Sequence, residues 1–172
     1  MEAVLVIDML HDFIAPDGAL TCGEAGAAIV PAVRREVAAR RAAGDAVIYL
    51  CDSHRPDDAE FAMFPPHCLQ GTAGADIIAE LAPVAGDIRI AKRRYSGFFG
   101  TDLDITLREL GVTHIHLAGV CTNICVLYTA ADARNLGYTV TVDARHVASF
   151  DAAAHTWALA EMKSTLGCTV IE

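Results

Sequence analysis

Apolar residues in this chain follow two rhythms: short, nearly continuous runs, and longer stretches with apolar positions every three or four residues. Ala3-Val-Leu-Val-Ile-Asp8 is the first run, rich in β-branched residues and closed by a carboxylate. Such a run suits a strand buried on both faces. A loop from His11 to Gly23 carries Pro16-Asp-Gly, and Glu24 to Ala43 then has helical spacing, with arginines toward its end and Gly44 as the stop. Ala46 to Cys51 gives the second strand, closed by Asp52. The segment Ser53 to Ala75 holds three of the six prolines and has little periodicity. Unstructured stretches of that length in compact domains are usually functional or disordered. A short helix is expected around Asp76 to Leu81, and the third strand over Asp87 to Ala91, ending at Lys92.

Beyond the Gly-rich Tyr95-Ser-Gly-Phe-Phe-Gly100, Thr101 with Asp104 resembles a capping box and predicts a helix to Leu110, stopped by Gly111. Thr113 to Ala118 is the fourth strand, Cys121 to Asn135 a helix, Tyr138 to Val142 the fifth strand, Asp151 to Leu166 the last helix and Cys168 to Ile171 the sixth strand. Strands alternating with helices in this way point to a parallel sheet covered on both faces, a doubly wound α/β layer. The site of such a sheet lies outside the carboxyl ends of its strands, where strand order reverses. With order 3-2-1-4-5-6, strands one and four are neighbours there, which would bring Asp8 beside Cys125.

Length and composition narrow the class. A chain of 172 residues suits one domain with a full core. The apolar fraction is 53%, yet no apolar run approaches the length of a membrane span. The first strand begins directly after Met1-Glu2, leaving no room for a signal peptide, so a cytoplasmic location is expected. A net charge of −9 with scattered basic residues argues against nucleic acid as a partner. The six cysteines, 22, 51, 68, 121, 125 and 168, lie in or beside apolar runs and form no CxxC pair. Reduced thiols are expected, with no zinc ribbon or thioredoxin-type motif.

The chemistry gathers at the strand ends. Asp8, Asp52 and Lys92 each close a strand, and Cys125 follows one, in the small-residue stretch Leu117-Ala-Gly-Val-Cys-Thr-Asn-Ile-Cys125. A thiol in the first turn of a helix meets partial positive charge, which favours its thiolate. Cys125 is the candidate nucleophile; the alternative is a small buried core residue. Asp8 can take its proton and Lys92 can supply a counter-charge, although a strand-ending acid can simply cap a loop and Lys92 can belong to a solvated cluster with Arg93 and Arg94. Backbone N–H groups of Cys125 and of the Gly119-Val-Cys121 turn are candidate oxyanion donors. A second group is Asp52-Ser-His54 with His67, and Glu60 as a possible fourth member. One carboxylate and two imidazoles suit zinc, iron(II) or manganese; the alternative is surface loop histidines. Phe13, Phe64, Tyr95 and Val120 are candidate pocket walls.

These motifs resemble the isochorismatase-like cysteine hydrolases, and among them most closely the nicotinamidases. The likeness runs through Val6-Ile-Asp-Met-Leu-His-Asp-Phe13, Asp52-Ser-His54, Pro65-Pro-His-Cys-Leu-Gln-Gly-Thr72, Lys92 with Tyr95-Ser-Gly-Phe98, and Gly119-Val-Cys-Thr-Asn-Ile-Cys125. The resemblance implies a three-layer αβα, Rossmann-like sandwich, a triad of Asp8, Lys92 and Cys125, and a cis peptide at Val120-Cys121 that turns the N–H groups of Cys121 and Cys125 into an oxyanion hole. It also implies a divalent ion, zinc with iron or manganese as alternatives, at Asp52, His54 and His67, and a homo-oligomer, dimer or tetramer. Where nicotinamidases carry Asp-Trp-His and then a Pro and a further His, this chain has Asp52-Ser-His54-Arg-Pro56 and offers Glu60; Phe64 stands at a common Trp position. The expected activity is hydrolysis of nicotinamide or a similar small aromatic amide to acid and ammonia. The alternatives are a metal-free amidase for a ureido or carbamoyl compound, a catalytically silent binding relative, and a hydrolase whose nucleophile is an ion-bound water.

Overall fold

A computed structural model describes residues 1–172. Six strands form one sheet, every pairing parallel: β1 (Glu2–Ile7), β2 (Ala46–Asp52), β3 (Ile88–Lys92), β4 (His114–Val120), β5 (Thr139–Ala148) and β6 (Thr169–Ile171). Their order is β3-β2-β1-β4-β5-β6, as the alternation of strands and helices suggested. β1 shows why its sequence is almost wholly apolar. Ala3, Leu5 and Ile7 join one core and Val4 and Val6 the other, so the strand contributes to both faces.

One face is covered by the single turn α1 (His11–Ile14) and by α2 (Gly23–Ala43), whose Gly26, Ile29, Val33 and Val37 are buried at helical spacing. The opposite face is covered by α3 (Leu103–Glu109), α4 (Leu127–Asn135) and α5 (Ala152–Ser164), which bury Leu103 and Leu107, Leu127, Ala130 and Ala133, and Ala158 and Met162. Gly44 ends α2 in the left-handed region at φ 80°, its N–H reaching the carbonyls of Arg40 and Arg41. Asp151 caps α5 by accepting from the N–H groups of Ala153 and Ala154. No helix is long and apolar enough to cross a membrane.

Four local expectations change. The helix expected around Asp76 to Leu81 is replaced by two 3-10 turns, Ala73–Ala75 and Ala79–Leu81. Between them the backbone pairs with the chain beyond β1, through His11 N to Asp76 O and Ile78 N to Met9 O. The capping box at Thr101 does not form, because the Asp104 carboxylate is taken by the Tyr138 hydroxyl at 2.7 Å and by Arg108 at 3.0 Å. β5 runs well past Val142, and its polar stretch is stabilised locally where Asp143 clamps the backbone N–H and guanidinium of Arg145. The helix expected from Cys121 begins instead as a π-type turn, Thr122–Val126, and becomes α-helical at Leu127.

Candidate active site

The carboxyl ends of β1, β2 and β3 deliver Asp8, Asp52 and Lys92 to one point, and the turn after β4 brings Cys125 to it. Gly119 makes that approach possible. It sits at φ 121° beside a register shift in the β4–β5 ladder, and a Cβ there would lie 1.9 Å from the carbonyl oxygen of Ile7. Only glycine lets the end of β4 pass so close to the end of β1. Directly after it the Val120–Cys121 peptide is cis, as the family resemblance implied. Asp8 also has positive φ, at 52°, a conformation disfavoured for a residue with a side chain and frequent at functional sites.

Lys92 is the hub. It is 1% exposed, with Nζ 2.8 Å from Asp8 Oδ2, 2.5 Å from Asp52 Oδ1, 3.5 Å from Cys125 Sγ and 3.2 Å from the Arg94 carbonyl. The sequence alternative of a solvated Lys-Arg-Arg cluster is thereby overturned: Lys92 turns inward while Arg93 and Arg94 converge on the buried carboxylate of Asp58 at 3.0 Å. Asp8 Oδ1 accepts the backbone N–H of Asp52 at 2.9 Å, which fixes its carboxylate. Carboxylate oxygens of Asp8 and Asp52 and Cys125 Sγ all lie within 4.8 Å of one another.

Burial opposes the thiolate expected at Cys125. Burial pushes the Cys125 thiol well above its usual range; Lys92 opposes this, but Asp8 and Asp52 add to it. Burial and the charge of Asp52 also raise Asp8, against Lys92, whereas Asp52, although buried, is held low by Lys92 and the two imidazoles. For Cys125, removal from water is the largest of these influences, ahead of the charges of Lys92, Asp8 and Asp52. With both carboxylates ionised and one ammonium, the trio together with Asp52 carries one net negative charge. Moving a proton from Cys125 to Asp8 leaves that total unchanged, whereas losing it to water would double the buried charge.

Beside the trio stand Asp52, His54, Glu60 and His67, all buried, with ligand atoms within 4.8 Å of one another. Asp52 Oδ2 is 3.5 Å from His54 Nε2 and 3.7 Å from His67 Nε2, and Glu60 Oε1 is 4.0 Å from His67 Nε2. Donors around one ion bound at about 2 Å are separated by roughly 3–4 Å. Each ring is held from behind. His54 Nδ1 is 3.2 Å from Asp58 Oδ2, and His67 Nδ1 is 2.8 Å from the Pro65 carbonyl, which leaves both Nε2 atoms facing the gap. His54 Nε2 is buried without a hydrogen-bond partner. Burial and the charge of Asp52 push the Glu60 carboxyl upward, so the cluster is short of positive charge. An orphaned imidazole nitrogen, a charge deficit and a nitrogen and oxygen donor set fit a divalent cation.

A small pocket opens over both groups. It holds about 320 Å³ not filled by protein atoms, open solvent at its mouth included, and eight of its eleven lining residues are hydrophobic. Phe13, Phe64 and Tyr95 line it as expected, with Asp52, Glu60 and His67 on one wall and Cys121 and Cys125 on another. Val120 does not: it is completely buried in the core under α1 and α2, because strand alternation turns it to that face with Ala118. Leu20, Ile124 and Phe150 complete the lining. Sequence reasoning missed these three, and also Asp58 and Asp12, whose carboxylate holds the N–H of Cys68 at 2.7 Å and so ties the long loop to α1. The one signal available for Asp58 was the Arg93-Arg94 pair, which needed an acid to face.

A parallel sheet whose switch point gathers an acid, a lysine and a cysteine beneath a small pocket has the layout of a cysteine hydrolase. The chain belongs to the isochorismatase family: the model of the isochorismatase domain matches residues 2–172. Among solved structures, nicotinamidase/pyrazinamidase PncA from Bacillus subtilis is 40% identical, with 99% of each chain covered and a TM-score of 0.95. Pyrazinamidase of Pyrococcus horikoshii, solved in complex with zinc, is 33% identical over 99% of this chain and 98% of that one, at a TM-score of 0.94. N-carbamoylsarcosine amidase from Thermoplasma acidophilum is 35% identical over 99% and 95%, at a TM-score of 0.90.

Proposed function

We propose that this chain is a cysteine-dependent amide hydrolase that converts nicotinamide, or a similar small aromatic amide, to the acid and ammonia through a thioester on Cys125. The observation that carries the reading is the convergence of Asp8, Lys92 and Cys125 at hydrogen-bonding distances under a small apolar pocket that Asp52, Glu60 and His67 also line.

Asp8 takes the thiol proton as Cys125 Sγ attacks the amide carbon, so charge moves within the trio without increasing. Lys92 remains protonated between the two carboxylates and stabilises the thiolate as it forms. The N–H groups of Cys121 and Cys125 receive the developing oxyanion. Asp8 returns its proton to the nitrogen as the C–N bond breaks, and ammonia leaves. It then takes a proton from water, whose oxygen attacks the thioester, and the thiol is restored as the acid departs. Asp52, His54 and His67, with Glu60, would hold a divalent cation, zinc in the first instance and iron or manganese as alternatives. When bound, such an ion supplies a Lewis-acidic contact for a heteroatom of the substrate ring.

The test is ammonia release from nicotinamide, pyrazinamide and a set of ureido acids, with and without chelator. Cys125→Ala should lose at least a thousandfold in rate while its circular dichroism and melting curve stay those of the parent; retained turnover would sink the assignment. The likeness to an N-carbamoylsarcosine amidase favours a second reading, a carbamoyl or ureido substrate handled without metal. Chelator-resistant turnover of the ureido acids, unaffected by Asp52→Ala or His54→Ala, would select it.

A further inference from the structure

We propose that Phe150 is a specificity-determining residue: its ring forms the outer wall of the pocket and restricts the amide to a single flat ring. This rests on the amidase reading above. Phe150 lines the pocket together with Cys121, Ile124 and Cys125, yet it is 47% exposed, whereas Phe13, which lines the same pocket, is 5% exposed. A half-exposed phenyl ring at a pocket mouth is uncovered apolar surface that a bound aromatic ring would remove from water.

Its backbone is fixed on both sides. Ser149 Oγ donates to Asn123 Oδ1 at 2.6 Å, fastening the residue before Phe150 to the turn that carries Cys125. The residue after it, Asp151, caps α5 through Ala153 N at 2.8 Å and Ala154 N at 3.0 Å. A third tie joins Thr122 Oγ1 on the same turn to His155 Nδ1 on α5 at 2.8 Å. The end of β5, the start of α5 and the Cys125 turn therefore form one unit, and Phe150 keeps a set distance from the attacking sulfur. On this proposal a monocyclic amide lies against the Phe150 ring and the Phe13 and Phe64 side chains that line the same pocket. A fused bicyclic amide with its carbonyl at Cys125 would compete with the Phe150 ring for space in that pocket. Rejection by a ring on a tethered backbone is discrimination by steric exclusion, which acts on the competitor more than on the preferred substrate.

The experiment compares kcat/KM for nicotinamide and for quinoline-3-carboxamide in the parent, Phe150→Ala, Phe150→Leu and Phe150→Tyr, by ammonia release from the metal-loaded enzyme, with melting curves for each. In Phe150→Ala the preference for the single ring should fall by about tenfold or more, the size expected for a changed apolar wall. KM for nicotinamide should rise several-fold with kcat nearly unchanged. Phe150→Leu should fall between, and Phe150→Tyr should restore the preference. An unchanged preference in both Phe150→Ala and Phe150→Leu overturns the assignment, as does an equal loss of kcat on both amides, which would make the ring a support for the Cys125 turn. A parent that releases no ammonia from either amide or from any in the wider screen overturns the amidase reading itself, and this inference with it.

Discussion

At the scale of single residues, the site depends on groups that never meet the substrate. Asp58 is the clearest. Its carboxylate is fully buried and faces Arg93, Arg94 and His54 Nδ1, and it also accepts the backbone N–H of Glu60 at 3.1 Å, so it holds two of the four candidate metal donors at once. Asp58→Asn should therefore weaken metal binding about 10- to 100-fold, the usual cost of losing a supporting partner behind a ligand. Competition with a chromophoric chelator would measure it, and an affinity within twofold of the parent would count against the assignment. The contrast with Asp8, Lys92 and Cys125 shows what the sequence could reveal. Those three were legible because each stands at a strand end, where a doubly wound sheet places its chemistry. Asp57-Asp58 stands in a loop, where adjacent acids normally indicate solvation, and only the folded loop brings it under two arginines. What opposes a thiolate at Cys125 was hidden for a related reason. Its position on a turn is written locally, whereas the burial that raises its thiol comes from the assembled sheet and loops, with the carboxylates that end β1 and β2 adding to it.

At the scale of elements, long apolar runs announced themselves and short or polar pieces did not. β1, β2 and β4 were placed within a residue or two, because burial on both faces demands continuous apolar sequence. The second half of β5, with Asp143, Arg145 and His146, carries no such signal; its pairing with β4 beyond the register shift, Gly119 with Val147 and Val120 with Ala148, extends it. That shift also makes Gly119 the most sensitive point of the sheet. Gly119→Ala puts a methyl group against the Ile7 carbonyl in a positive-φ conformation. The variant should lose about 3 kcal/mol or more in denaturant unfolding, since no flexible side chain can yield the space. A loss below about 1 kcal/mol would show that β1 and β4 can separate locally at no great cost. At α5 the effect is smaller and of a different kind. Asp151→Ala removes the cap and should cost about 1 kcal/mol, visible as a lower melting temperature.

At the scale of the whole molecule, the net charge of −9 leaves little spare basic charge, and seven of the eleven arginines are paired with specific acids. Arg41 on α2 grips Asp87 just before β3, at 2.5 Å and 3.1 Å, and also donates to the Tyr49 hydroxyl at 3.1 Å. Burial pushes the Asp87 carboxyl up, but Arg41 and the Val84 N–H outweigh it and hold the folded-state value below the usual range. A lowered folded-state value gives stability that is present above the unfolded carboxylate range, near 4, and is lost as pH falls below it. Asp87→Asn should accordingly melt below the parent at pH 7, by an amount equivalent to about 1–2 kcal/mol. The gap should narrow as pH falls below about 4 and close only as pH passes through the lowered folded-state value; a gap that widens in acid would reverse the sign and refute the pairing. The strand order has a consequence of its own. β3-β2-β1 come from the first part of the chain and β4-β5-β6 from the second, and the two half-sheets join along the β1–β4 ladder, from Glu2 with His114 to Ile7 with Gly119. Asp8, Asp52 and Lys92 belong to one half and Cys125 to the other, so the sulfur and its proton acceptor face each other across a seam. Turnover is then a gauge of that single ladder: under rising denaturant it should vanish no later than the helical signal, and a chain with its two halves intact but parted would keep its secondary structure and be chemically silent.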